Sequence, residues 1–139
     1  MDQGGLYKVI LYENKGISYQ WNNDNSIGLI TNTGDVLTLE NCDLLNYTDN
    51  MTIGQRLLNH DHKLMFSYFE LNSEVLENIE TINSVYGWIA HLFFMNGNQF
   101  VLTAPLFFPQ ELEFNTNMTN KYNFELVLQQ LTQIKLIKY

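Results

Sequence analysis

Alternation with period two, carried by β-branched and aromatic residues, governs much of this chain, and it is the pattern of strands with one buried face and one wet face. It reads over Leu6 to Tyr12, Ile17 to Trp21, Ile27 to Thr31, Val36 to Glu40 and Leu64 to Leu71. Between these stretches lie Glu13-Asn14-Lys15-Gly16, Asn22 to Ser26 and Asn32-Thr33-Gly34-Asp35, where Asn and Gly accept the positive φ of tight turns. The second half repeats the texture in Trp88 to Met95, Gln99 to Leu102, Glu111 to Asn115 and Tyr122 to Leu128. Pro105 and Pro109 reduce Leu106-Phe107-Phe108 to an edge or a loop. Two stretches have helical spacing instead: Val75, Leu76, Ile79 and Ile82, behind a cap at Asn72 or Ser73, and Leu128, Leu131, Ile134 and Ile137. Each can pack as a helix on the sheet, the C-terminal one being the better candidate. A mainly β chain with a meander topology and a C-terminal helix is the expectation.

Such strands need a core, and 45% apolar residues in a chain of 139 supply one. That length fits one domain or two very small ones. The lone Cys42 cannot close an intramolecular bridge, which points to a reducing compartment. Met1-Asp2-Gln3-Gly4-Gly5 has neither the basic stretch nor the apolar run of a signal peptide, and no segment approaches the roughly 20 apolar residues that span a bilayer. A soluble cytoplasmic or nuclear protein, away from membranes, is expected. The sequons at Asn46, Asn50 and Asn117 are then read as unmodified products of an Asn- and Thr-rich composition. Seven basic residues against fifteen acidic ones give a net charge of −8, which argues against strong duplex nucleic-acid binding.

Gly16-Ile17-Ser18-Tyr19-Gln20-Trp21-Asn22, followed by a short turn and Ile27-Gly28-Leu29-Ile30, resembles the opening of a cold-shock domain. Gly34-Asp35-Val36-Leu37-Thr38-Leu39 is similar to that family's next strand. The halves also echo each other, with Gly16-Ile17 and Gly28-Leu29-Ile30-Thr31 matched by Gly87-Trp88-Ile89 and Phe100-Val101-Leu102-Thr103. The resemblance implies a small OB-type, cold-shock-like barrel, or two in tandem over 1–84 and 85–139, packed together as one compact domain or standing as two units. It also implies single-strand binding on two strand faces. Carried across, it places Gln20, Ile27, Leu29, Leu37 and Leu39 on the binding face beside Tyr19, and turns Trp21 into the core. Aliphatic side chains there offer no π-face to bases, so a stacking energy of about 1–3 kcal/mol per base is largely lost. An apolar strip in an acidic surround suits another protein better.

Residues for chemistry are sparse. His60-Asp61-His62 puts two imidazoles on one strand face, in reach of a zinc ion, but a third ligand is needed and only His91 and Cys42 are further soft candidates. The plainer reading makes this tripeptide an exposed polar turn ahead of the strand at Lys63. Cys42, set in Glu40-Asn41-Cys42-Asp43, has acidic neighbours that disfavour the thiolate. Glu111 with Glu113, and Glu74 with Glu77, read as solvated pairs. No catalytic residue, metal or cofactor is assigned. The sequence thus favours a non-catalytic protein-interaction module, an adaptor or complex subunit, with another protein as partner. Single-strand binding through Tyr19, Trp88 and Phe100 is the alternative. A small acidic viral or mobile-element inhibitor of a host nucleic-acid enzyme comes third, although its acids are not in dense runs.

Overall fold

The computed structural model describes residues 5–40, 42, 44–54, 57–68, 73–107, 115–116 and 122–139. Within them the chain is mainly β, as the alternation predicts. Eleven strands run in order: β1 (Leu6–Glu13), β2 (Ser18–Trp21), β3 (Ile27–Thr31), β4 (Val36–Leu39), β5 (Leu44–Gly54), β6 (Leu57–Tyr68), β7 (Trp88–Phe94), β8 (Gln99–Leu106), β9 (Asn115–Thr116), β10 (Tyr122–Thr132) and β11 (Ile137–Lys138). Helix α1 (Ser73–Ser84) stands between β6 and β7.

The strands form three antiparallel sheets, ordered β11-β8-β7-β1-β4, β5-β6-β10-β9 and β2-β3. None closes into a barrel among the described residues. Both larger sheets draw strands from either side of residue 84, since β1 pairs with β7 and β6 pairs with β10.

The two larger sheets share one core. Val9, Leu11, Leu39, Ala90, Leu92, Leu102 and Leu106 meet Leu64, Phe66 and Leu128 there, and Ile79 and Ile82 of α1 join them. Fully burying a side chain such as Leu64 or Phe66 contributes about 1.5–3 kcal/mol. Trp88 is held in this core, where its indole N–H donates to the Ile82 carbonyl at 3.1 Å. The other face of the five-stranded sheet carries a second cluster, in which Ile27 and Ile30 of the β2-β3 ribbon pack on Ile89 and Val101 with Tyr12, Tyr19 and Ile137.

Three expectations are corrected. The C-terminal stretch is not a helix: Leu128 lies in β10 opposite Leu64, both buried, whereas Leu131 and Ile134 are exposed. Its helical spacing would have aligned residues that do not share a burial side, and the ladder to β6 supplies backbone partners that an isolated helix would have to make alone. The helix is instead α1, whose Ile79 and Ile82 spacing does match a buried stripe. Pro105 does not stop β8, because the register with β7 slips between Trp88 and Ala90 and leaves 103–105 facing Ile89, where a missing N–H costs little. Phe107 then forms a bridge with Gln129, while Phe108 and Pro109 lie outside the described residues. Finally His60-Asp61-His62, read as an exposed polar turn from the sequence, lies within β6, which pairs with β5 from Leu57 to Ser67.

No helix among the described residues is long and apolar enough to cross a membrane.

Candidate functional site

The residues expected to bind a partner do not share one surface. Tyr19 and Ile30 are register partners that face the second cluster, and burial pushes the Tyr19 phenol up to about 12. Gln20 and Leu29, also register partners, are exposed on the outer side of the ribbon. Ile27 is fully buried in the second cluster and Leu39 in the main core, while Leu37 is half-buried against the main core. Their strands are in different sheets: β4 pairs with β1, and β3 pairs with β2. Trp21, expected in the core, is 52% exposed at the end of β2, because the register shift between Gln20 and Trp21 swings it away from the inward side. Its ring lies tilted at 58° to that of Tyr19, 6.0 Å between ring centroids. Of the other rings considered for base stacking, Trp88 is buried in the core and Phe100 is half-buried.

Polar chemistry gathers elsewhere, at one end of the inner face of β5 and β6. The antiparallel register sets Asp49 opposite His62 and Met51 opposite His60. Because cross-strand partners share a face and residues two apart repeat it, Tyr47, Asp49, His60 and His62 all point the way of Leu64 and Phe66. His62 is wholly buried and His60 is 5% exposed. They are therefore not an exposed turn, as the sequence reading had them, but the polar continuation of the core face.

Each imidazole is oriented by a side chain of β5, and His62 also by the segment after β10. His62 Nε2 donates to the Ile134 carbonyl at 2.8 Å, and a carbonyl can only accept, so the neutral ring keeps its lone pair on Nδ1. The Tyr47 hydroxyl donates to that Nδ1. His60 Nδ1 donates to both carboxylate oxygens of Asp49, at 2.9 and 3.0 Å. The two imidazoles lie parallel, 5.6 Å between centroids and 6° between planes. Tyr47 stacks on His62 at 5.9 Å. Burial, and then the Asp49 carboxylate, push the Tyr47 phenol well above its ordinary range, so it remains a donor.

Asp49, His60 and His62 can each offer a ligand atom, and these atoms lie within 4.8 Å of one another. Sequence reasoning sought the third partner at His91 and Cys42. His91 belongs to β7, on the side of the other sheet that faces the second cluster, where it packs between Phe93 and Tyr139. Cys42 lies against the main core. Asp49 was missed because it lies eleven residues before His60 along the chain, and only the hairpin register joins them.

No protein-family model, curated protein or solved structure matches this chain significantly.

Proposed function

We propose that the protein is a non-catalytic interaction module, an adaptor or complex subunit, that engages another protein through the outer end of the β5-β6 hairpin. One observation carries this reading. Strand β10 ends opposite His60, and from that rung outward Met51, Ile53 and Leu58 share one face at 63%, 84% and 45% exposure. Long apolar side chains held on a hairpin with no third strand beside them among the described residues are what a partner's cleft can cover, and exposed apolar patches on folded chains mark such contacts. The net charge of −8 favours a partner whose cleft is rimmed by lysine and arginine. Gln20 and Leu29 on the β2-β3 ribbon are a smaller second contact. The cold-shock-like, small-barrel ancestry belongs to the same proposal. It is supported by the succession of β2, a turn with Asn25 at φ 66°, β3 and β4 over the residues that carry the resemblance.

A photo-crosslinking residue placed at position 53, and separately at 29, tests this in cells of the native source. The expected result is a discrete protein adduct from position 53 that Met51→Asp abolishes while circular dichroism stays unchanged. Absence of any adduct from either position in a folded chain overturns the reading.

A further inference from the structure

We infer that Asp49, His60 and His62 form a binding site for one borderline divalent transition-metal ion, with zinc the best fit. The inference is independent of the hairpin surface proposed above. Two imidazoles and one carboxylate are a donor set that suits zinc or cobalt and is poor for magnesium or calcium, which prefer oxygen alone. Their ligand atoms lie within 4.8 Å of one another, close enough to converge on a single ion with small side-chain rotations.

The surroundings of His62 are built in the way a ligating histidine requires. A metal-bound imidazole characteristically donates its second N–H to a backbone carbonyl or a carboxylate, which fixes its tautomer and aims its lone pair. His62 makes that bond to the Ile134 carbonyl at 2.8 Å, from a segment 72 residues away in the chain. Its Nδ1 lone pair is left on the side of Tyr47 and Asp49, and the Tyr47 hydroxyl must turn off it when the ion enters. His60 offers Nδ1, which now directs a proton at Asp49. As Nδ1 takes the ion its proton passes to solvent and Nε2 takes one up, so the ring stays a neutral imidazole, and the carboxylate turns from the proton to the metal. The access side is Asp49, whose side chain is 25% exposed against 6% for His60. Three protein ligands leave a fourth position of a tetrahedron for water or an incoming donor group.

Titration of the dialysed 139-residue chain with zinc chloride and cobalt chloride tests the site, by calorimetry and by the visible absorption of tetrahedral cobalt. Saturable binding of one ion per chain is expected, with shifts of the His60 and His62 ring signals in NMR spectra of the unsubstituted protein. Asp49→Asn and His60→Gln should each weaken binding by more than about tenfold. His91→Gln, at the third histidine, should leave it unchanged, and magnesium chloride should give no saturable signal. Folding of each variant is checked by circular dichroism, and the NMR shifts locate the ion without any substitution. No saturable uptake below about 1 mM ion, or uptake that leaves the His60 and His62 signals unmoved, overturns the inference.

Discussion

His91 occupies the middle of β7, 3% exposed, with Nε2 donating to the Gln99 side-chain carbonyl at 2.9 Å and Nδ1 buried without a hydrogen-bond partner. Burial lowers its pKa below the ordinary 6.5; the bond to Gln99 opposes that shift and the Lys8 charge reinforces it. The folded state therefore binds fewer protons than the unfolded chain once the pH drops under that ordinary value. Stability on this account is flat above it and falls as the pH passes from there down through the lowered folded value, by at most about 1.4 kcal/mol per pH unit. Urea unfolding between about pH 7 and 5 should show a shallower acid limb for His91→Gln than for the unsubstituted chain, and equal slopes would refute the assignment. Asp49, His60 and His62 teach a related lesson. Leu45, Tyr47, Met51 and Ile53 alternate with Asn46, Thr48, Asn50 and Thr52, and Leu58, Leu64 and Phe66 continue the same parity on the next strand. The three polar residues stand where this alternation calls for apolar ones. They hid β5 and the first half of β6 from the alternation, and that same interruption is the signal by which the cluster could have been found.

At the scale of elements, turn chemistry was the most legible feature. Gly16 takes φ 60° between β1 and β2, and a Cβ there would meet Thr33 Oγ1 at 2.5 Å. Gly97, between β7 and β8, takes φ 90° with nothing within 4 Å of such a Cβ. Alanine at either position carries a left-handed backbone penalty of about 1–2 kcal/mol, but only at 16 does steric conflict add to it. Chemical denaturation should therefore find Gly16→Ala more destabilising than Gly97→Ala, and the reverse order would show that Thr33 yields freely. The strand bounds at Ile27–Thr31 follow from the sequence for the same reason, since turn residues close both ends. The C-terminal stretch was illegible because Leu128, Leu131, Ile134 and Ile137 satisfy a helical spacing that their burial does not support. Local propensity there is overridden by the partner strand β6.

In the whole molecule, both larger sheets are completed by strands from opposite sides of residue 84. A fragment of residues 1–84 would lack β7 beside β1 and β10 beside β6, leaving long unpaired edges and an open core. Fragments 1–84 and 85–139 are expected to show little structure apart and to regain the β spectrum on mixing. Cooperative unfolding of either fragment alone would show instead that it is an independent unit. What the sequence determined by itself was local: the β class, most of the short strands, the turns that accept positive φ, and an apolar content large enough for a core. Only the tertiary structure decided which strands pair, that Ile27 and Leu39 face inward while Leu29 and Trp21 face out, and that Asp49 meets His60 and His62. Alternation specifies that a strand has two faces, but which face is buried, and what lies across from it, depends on ladder partners distant in sequence.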